Sequence, residues 1–258
     1  MQPGDNVVVH AEDFTSTILA FNTLHTKGVE IRKVALENLA KSIDERTKLV
    51  AFSLVQSADG RLADLKTLSQ TGARLFVDGS QALGGIDVDA SQIDYFVCHA
   101  YKWLMCPRGF GFLSIREDRL NELDPWLAGW KSREKPYENF YGIPEHLTST
   151  GRLHDASLPW LLAAGARESL SLIADLDPKN IEAHNMKLAQ KFAETIKAPL
   201  PEAPIVRVKT SSAPTIAERL RSKGVSCSVR DNSVRVSFHL YNDSQDVKLA
   251  AETLQTIL

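Results

Sequence analysis

Two residues of complementary chemistry each follow a short apolar run, and this pair is the most informative feature of the sequence. Asp78 directly follows the run at 75–77, and Lys102 comes soon after the run at 95–98. Each run has the length and composition of a buried strand. Because parallel strands bind ligands at their carboxyl ends, we expect the acid and the amine to face one cleft. Such a pair suits pyridoxal phosphate, which forms a Schiff base with a lysine and pairs its pyridinium nitrogen with an acid.

Two sequence blocks carry a resemblance to a known family. The first joins Asp78-Gly-Ser-Gln to Tyr101-Lys-Trp-Leu and then to Pro107-Arg-Gly-Phe-Gly, and the second is Arg235-Val-Ser-Phe-His-Leu-Tyr-Asn. Together they resemble the class V aminotransferase family, which includes cysteine desulfurases, kynureninases and isopenicillin N epimerase-like proteins. All of these are fold-type I pyridoxal-phosphate enzymes. The resemblance covers essentially the whole chain, and it is more specific for the family than for the reaction.

The resemblance implies roles for the residues around the cofactor. Lys102 would form the Schiff base and Asp78 would pair with the pyridinium nitrogen, so these two are the implied catalytic residues. Gln81 would hydrogen-bond the phenolic oxygen of the cofactor, and Phe14 would stack on its ring. The other implied cofactor contacts are His99, Tyr101, Ser57 and Ser157.

Ordinary structural roles remain open for the same residues. An aspartate is common in a strand-end turn, Phe14 fits the core side of a helix, and His99 fits a packed or capping position. Two positions also depart from the family pattern, because Ser57 stands where many members have asparagine and Ala-Ser157 replaces Gly-Thr. If Ser157 keeps the family role, it reaches the phosphate of a partner subunit. The active unit would then be a homodimer with shared sites.

The second block implies a substrate site. Arg235 resembles the family arginine that binds the α-carboxylate of an amino acid, and a planar guanidinium group suits a carboxylate well. Arg230 lies five residues earlier and is expected to assist. An arginine on a solvent-facing strand is the ordinary alternative for both positions.

Several reactions on an amino-acid substrate remain open. A pyridoxal-phosphate-dependent, aminotransferase-like reaction is the leading prediction, with a carbon–sulfur lyase or an epimerase on the same scaffold as the alternative. A persulfide-forming cysteine desulfurase is disfavoured for two reasons. Cys227 lies inside a predicted strand at 226–229, and the link at 229–234 is too short for the mobile cysteine loop of those enzymes.

A non-catalytic protein of this fold is the third hypothesis. In the family, a segment that binds the cofactor phosphate at a helix N-terminus precedes the part that matches Pro3-Gly-Asp. This sequence starts almost at that match. A fragment, a late start or a lost phosphate site would each account for the pattern, and the last would favour a non-catalytic role.

The composition is that of an ordinary globular protein, with 43% hydrophobic and 24% charged residues. The net charge of −2 gives no indication of a nucleic-acid partner or an anionic membrane surface. No apolar run is long enough to span a bilayer. Cys98, Cys106 and Cys227 form no C-x-x-C pair, so we expect no metal site and a reducing, cytoplasmic location.

Strand-like and helix-like segments alternate along the chain, which predicts an α/β fold with a mostly parallel sheet and flanking helices. We predict a cofactor-binding large domain at 1–176 and a small C-terminal α+β domain at 177–258. The region at 125–159 is predicted to be irregular and to shape the substrate pocket. The predicted elements of the large domain are helices at 14–27, 36–43, 62–70 and 161–176, strands at 6–10, 29–34, 49–55, 74–77 and 95–98, and an antiparallel edge strand at 110–115.

Overall fold

The structure is a computed structural model that describes residues 1–154 and 159–256. Its larger sheet has six strands. Its strands are β1 (Asn6–His10), β2 (Glu30–Val34), β3 (Thr47–Ser53), β4 (Leu75–Asp78), β5 (Tyr95–His99) and β6 (Gly111–Ile115). They lie in the order β2-β1-β3-β4-β5-β6. The first five strands are parallel to their neighbours, and β6 pairs antiparallel with β5. The predicted mostly parallel sheet with an antiparallel edge strand is therefore confirmed.

The central strands are buried along most of their length. All residues of β1 are buried, as are the last five residues of β3. Continuous apolar runs of this kind are typical of parallel sheets, because other elements cover both of their faces. The strand registers place Ser53, Asp78 and Val97 side by side. The carboxyl ends of β3, β4 and β5 therefore form one edge of the sheet.

The first two connections are less helical than the sequence pattern predicts. α1 (Thr15–Asn22) continues only as a short 3-10 turn, which ends at Gly28 in a left-handed conformation with φ of 79°. The sequence of that turn, Thr-Leu-His-Thr-Lys, contains several weak helix formers. Two separate 3-10 turns, Leu36–Asn38 and Ala40–Ser42, replace the predicted helix at 36–43.

α2 (Leu65–Ser69) is shorter than the predicted helix at 62–70, because local hydrogen bonds set a later start. Leu62 forms an isolated antiparallel bridge with Val55 and is therefore extended. Asp64 caps the helix by accepting a hydrogen bond from the backbone nitrogen of Thr67 at 3.0 Å.

A second sheet of three antiparallel strands lies in the C-terminal part of the chain. Its strands are β7 (Ile205–Lys209), β8 (Ser228–Val229) and β9 (Ser233–Ser237), in the order β7-β9-β8. The helices of this part are α3 (Trp160–Asp175), α4 (Pro178–Thr195), α5 (Ala213–Ser222) and α6 (Ser244–Gln255). α4, α5, α6 and the small sheet enclose an apolar core of their own. The observed small sheet confirms the predicted α+β tail, while the domain boundary at 176/177 stays a prediction.

Specific polar contacts join the two sheets. Asn185 of α4 donates a hydrogen bond to the carbonyl oxygen of Gly85 at 3.1 Å, and Glu202 accepts one from the backbone nitrogen of Leu62 at 2.7 Å. On β9, the guanidinium group of Arg235 donates to the carbonyl oxygen of Ser57. These contacts bring β9 to the carboxyl edge of the larger sheet.

Among its described residues, the region at 125–159 contains two short 3-10 turns, Trp130–Ser132 and Gly151–His154, and an isolated antiparallel bridge between Arg133 and Leu147. It is irregular, as its proline-rich and polar sequence predicts. Its predicted part in the substrate pocket stays a prediction.

Candidate active site

Asp78 ends β4 at the carboxyl edge of the sheet, and two donors hold its carboxylate. The backbone nitrogen of Ser80 donates to Oδ1 at 2.8 Å. The hydroxyl group of Thr17, a buried residue of α1, donates a longer hydrogen bond of 3.4 Å to Oδ2. The carboxylate is therefore fixed in direction but keeps lone pairs for a further partner.

Lys102 lies in the loop that follows β5. Hydrogen bonds from Cys106 to Ala100 at 3.0 Å and from Ala100 to Phe110 at 3.1 Å shape this loop through the main chain. Burial lowers the pKa of the Lys102 amine, Asp78 partly opposes that shift, and Arg235 adds to it. A lowered pKa increases the neutral fraction of the amine, which is the form that attacks a carbonyl.

Phe14 lies beside the amine, at the start of α1. Its ring centroid is 5.8 Å from the Lys102 Nζ, and its side chain is 50% exposed. Asp13 fixes this position, because its carboxylate accepts hydrogen bonds from the Phe14 nitrogen at 2.6 Å and the Ser53 nitrogen at 2.7 Å. The ring is therefore free to contact a ligand, and packing in a helix core does not account for it.

Gln81 and Trp103 are joined by a hydrogen bond. The indole Nε1 of Trp103 donates to Oε1 of Gln81 at 3.3 Å. Because the oxygen of the amide serves Trp103, its nitrogen is the group that would donate to a ligand oxygen.

His99 and Tyr101 precede Lys102 by three positions and one position. Their rings are tilted with centroids 6.1 Å apart, and His99 is exposed. The guanidinium group of Arg108 lies 4.7 Å from the centre of the Tyr101 ring. Three groups able to donate to an anion are therefore close together, and Arg108 is one that the sequence analysis missed.

Arg235 and Ser57 are in direct contact, although the sequence analysis assigned them to different ligands. The guanidinium group of Arg235 donates to the Ser57 carbonyl oxygen and, at 3.3 Å, to the hydroxyl group of Ser228. Burial lowers the pKa of Arg235 to about 10, with a further contribution from the charge of Arg230. Arg230 itself is exposed and donates to the Val229 carbonyl oxygen at 2.8 Å.

Several residues of the site were not found from the sequence. Thr17 contacts Asp78, Asp13 holds Phe14, and His239 contacts the residue after Lys102. Of these three, His239 had a signal in the sequence, because it lies inside the second sequence block, just as Arg108 lies inside the first. Ser157 lies outside the residues that the structure describes, so its predicted contact with a partner subunit stays a prediction.

The cysteines show no sign of activation. The sequence analysis placed Cys227 inside a strand at 226–229, but the observed strand β8 begins one residue after it. The Sγ atom of Cys227 is 3.8 Å from the Ala217 carbonyl oxygen. Burial raises the pKa of the Cys227 and Cys106 thiols, and raises that of Cys98 to about 12. All three thiols therefore favour the protonated form, which is the weaker nucleophile.

The described residues include neither a metal-binding cluster nor a membrane-spanning helix. Within 1–154 and 159–256, no group of three histidine, cysteine, aspartate or glutamate side chains is arranged to hold a metal ion. In the same ranges, no helix has the length and apolar character needed to cross a bilayer.

The sequence matches a known protein family and its curated members. The family model described as Aminotransferase class-V matches residues 1–221. The "Uncharacterized aminotransferase YcbU" of Bacillus subtilis is 25% identical over 234 residues, which cover 85% of this chain and 62% of the relative. The chain thus spans less than two thirds of the length of that protein.

Solved structures share the fold at low sequence identity. The apo cysteine desulfurase of Thermococcus onnurineus has a TM-score of 0.86 and 22% identity, covering all of this chain and 73% of that one. Two structures of C-DES also have TM-scores of 0.86, at 20% and 21% identity, covering 98% of this chain and 75% and 76% of those. One is a mutant with glycine covalently linked to the PLP cofactor, and the other is described as a cystine C–S lyase in complex with cysteine persulfide.

The family, the fold class and the cofactor of the family are those that the sequence motifs predicted. The family match covers the first sequence block, which contains Asp78 and Lys102, and the structural likeness extends over the second sheet. The chain belongs to the class V aminotransferase family.

Proposed function

We propose that this chain binds pyridoxal phosphate and acts on an amino-acid substrate, with Lys102 as the residue that forms the Schiff base. The observation that carries the proposal is the environment of the Lys102 amine. Burial and Arg235 lower its pKa, Asp78 lies within electrostatic reach, and the ring of Phe14 is beside it. An amine of this kind is suited to reaction with an aldehyde.

The surrounding residues fit the shape and charge of this cofactor. The Asp78 carboxylate is oriented by Ser80 and Thr17 and has capacity left for a protonated ring nitrogen. Gln81 has its amide nitrogen available for the phenolic oxygen, because its amide oxygen accepts from Trp103. His99, Tyr101 and Arg108 supply donors for a phosphate group.

The cofactor, when bound, withdraws electrons from the α-carbon of an attached amino acid. The residues of this chain supply the proton transfers and the orientation. Asp78 would favour a proton on the ring nitrogen, since a carboxylate stabilises a cation beside it. The Lys102 amine would take a proton from the α-carbon of the substrate and return one.

Arg235 is the proposed anchor for the substrate α-carboxylate. Its guanidinium group is partly buried and is bound to uncharged acceptors, the Ser57 carbonyl oxygen and the Ser228 hydroxyl group. A buried cation without a carboxylate partner at these contacts favours an incoming anion, and a bidentate pair would orient the substrate. Arg230 adds positive charge from the edge of the site.

A carbon–sulfur lyase is the second candidate, and an epimerase remains its alternative on the same scaffold. The likeness to C-DES supports the lyase, since one C-DES structure is described as a cystine C–S lyase. A persulfide-forming desulfurase stays disfavoured, because the backbone nitrogen of Arg230 bonds the Ser233 carbonyl oxygen at 3.0 Å and closes a tight turn between β8 and β9. A homodimer and a cytoplasmic location complete the proposal and stay predictions.

Cofactor capture tests the proposal. The purified chain is incubated with pyridoxal phosphate, reduced with borohydride and digested, and the modified lysine is located by mass spectrometry. We expect an adduct on Lys102 that saturates at low cofactor concentration and is absent from Lys102→Ala. Lys66→Ala, which removes an exposed lysine of α2, is the matched control and should leave capture unchanged.

The outcome separates the three functional hypotheses. Adducts spread over surface lysines, with none preferred, would contradict the proposal and favour the non-catalytic alternative. If Lys102 is modified, the loaded protein is incubated with a panel of amino acids. Keto-acid formation without sulfide would support the aminotransferase-like reaction, sulfide release from cysteine or cystine would support the lyase, and loss of optical purity would support the epimerase.

A further inference from the structure

A buried histidine from the C-terminal part of the chain reaches the loop that carries Lys102. His239 follows β9 closely and is only 7% exposed. Its Nε2 lies 3.0 Å from the carbonyl oxygen of Trp103, the residue directly after Lys102. The contact therefore joins the small sheet to the loop at the point where the lysine leaves it.

Its hydrogen bonds determine which nitrogen of His239 carries the proton. The carbonyl oxygen of Trp103 can only accept, so Nε2 must donate. The backbone nitrogen of Leu240 donates to Nδ1 at 2.8 Å, so Nδ1 must accept. The neutral ring satisfies both partners, and a second proton on Nδ1 would face the N–H group of Leu240. Burial also lowers the pKa of His239, which keeps the ring neutral.

The histidine ring is stacked between two aromatic rings. The Trp103 ring lies at a centroid distance of 5.2 Å and an angle of 16°, and the Tyr241 ring at 4.5 Å and 10°. Trp103 is confined elsewhere too, because a Cβ atom on Gly85 would come within 2.8 Å of its ring. Its indole nitrogen donates to Gln81. The position of Trp103 is therefore set by three neighbours at once.

The turn that carries His239 is itself held by hydrogen bonds. Asn242 accepts from the His239 nitrogen at 2.9 Å through its side chain, and its carbonyl oxygen accepts from Nε2 of His184 at 3.0 Å. β9, directly before this turn, carries Arg235. One rigid segment therefore contacts both the lysine loop and the proposed carboxylate anchor.

We propose that His239 is a positioning residue, which holds the Lys102 loop and the side chain of Gln81 in register with Arg235. The inference rests on the proposed function of Lys102, and it extends that function to a residue that acts through the Trp103 carbonyl oxygen. Without the hydrogen bond from Nε2, the Trp103 carbonyl oxygen would be buried and unpaired, and the loop would shift to find another donor. Lys102 would then be displaced by the same shift.

Two substitutions at His239 separate the hydrogen bond from the packing. His239→Phe keeps a stacked ring and removes the donor to Trp103, whereas His239→Gln supplies an amide donor at nearly the position of Nε2. His184→Phe is the comparison for the turn alone, because it removes a hydrogen bond to the same turn and none to Trp103. The first readout is amide hydrogen exchange of residues 99–106 in the cofactor-free protein. The second is the rate of borohydride-trapped capture of pyridoxal phosphate at Lys102.

We expect exchange in residues 99–106 to be about tenfold faster in His239→Phe, with capture slowed by a similar factor, the size expected for a lost buried hydrogen bond. His239→Gln should restore both to near wild-type values, and His184→Phe should change both by less than His239→Phe does. An exchange rate in His239→Phe equal to that of the wild type would overturn the inference. So would faster exchange and slower capture in both His239 variants in proportion to their lower melting temperatures. If exchange is faster in His239→Phe but the wild type does not capture pyridoxal phosphate at Lys102, the proposed function is contradicted and the positioning by His239 is not. The two failures are therefore distinct.

Discussion

Two buried or partly buried aspartates lie at opposite ends of neighbouring strands, and their surroundings differ in kind. Asp94, just before β5, is 4% exposed and forms salt bridges with Arg116 at 3.0 Å and Arg119 at 2.8 Å. It also accepts a hydrogen bond from the Leu75 nitrogen at 2.9 Å. Asp78, at the other end of β4, has one backbone donor and one long hydroxyl contact.

The cations near the two aspartates differ in the same way. Hydrogen bonding to Asp94 raises the pKa of Arg119, and hydrogen bonding to Asp118, with Asp94 nearby, raises that of Arg116. Near Asp78, burial lowers the pKa values of Lys102 and Arg235. The amino end of the strands therefore holds charges that satisfy each other, while the carboxyl end holds charges that are not yet matched. Perturbed groups of the second kind are typical of ligand sites.

The largest effect on stability is expected at the amino end. Asp94→Asn removes the charge that two arginines share, and the two guanidinium groups remain. We expect a loss of about 3 kcal/mol in the free energy of unfolding, the low end of the range for buried pairs, because both arginines are partly exposed. Urea denaturation measures it. Wild-type stability would show that this end is not a structural ion-pair site.

Asp78→Asn is the matching change at the carboxyl end, and it should have the opposite profile. Stability should stay within about 1 kcal/mol of the wild type, because few hydrogen bonds are lost. Turnover should fall on the order of a hundredfold, since the ring nitrogen loses its charged partner. Denaturation and steady-state kinetics are measured on the same preparation. An Asp78→Asn protein that is unstable but fully active would reverse the comparison.

Arg235→Lys sharpens the proposed role of the buried arginine. A lysine keeps the charge and loses the planar fork, so KM for the amino acid should rise about tenfold with a smaller change in kcat. Arg207→Lys is the control, because Arg207 lies opposite Arg235 in the register of β7 and β9. Its Nε donates a hydrogen bond to the Ser233 hydroxyl group at 2.7 Å. Equal effects of the two substitutions on KM would contradict a specific carboxylate contact.

The smallest expected effect is a pH dependence of stability from His239. Its pKa is lowered in the folded protein, so the unfolded chain binds the proton more readily. The stability it contributes is present above the ordinary histidine pKa of about 6.5 and falls as pH decreases through that value. Thermal melts from about pH 8 to about pH 5 span that ordinary pKa value. The melting temperature should depend less steeply on pH in His239→Gln than in the wild type. An unchanged slope would show that another group carries the dependence.

The sequence predicted the parts of the structure that depend on local pattern. The apolar runs before Asp78 and His99 predicted two buried strands of a mostly parallel sheet, because continuous apolar runs are typical of strands covered on both faces. The prediction of an α-helix at 36–43 was wrong, because this short segment forms two 3-10 turns whose geometry depends on the elements around them. Helix propensity decides little over so few residues.

The site was predictable where a motif named a residue, and not where one residue orients another. Lys102, Phe14 and Arg235 follow from the family motifs, and the structure places Phe14 beside Lys102. Thr17 and Asp13 act through contacts that join α1 to the ends of β4 and β3, and no spacing in the sequence encodes such contacts. The contact between Ser57 and Arg235 joins residues far apart in the chain and depends on how the two sheets pack.

The pKa of the Lys102 amine tests the central claim most directly, because the proposed chemistry requires an amine that is neutral more often than an ordinary lysine. The lysines of the cofactor-free protein are reductively methylated with ¹³C and followed by NMR as pH is raised. We predict one lysine resonance that titrates below those of all other lysines and disappears in Lys102→Arg, with Lys66→Arg as the control. If every lysine titrates near the ordinary value of about 10.4, the carboxyl edge does not activate Lys102 and the account is contradicted.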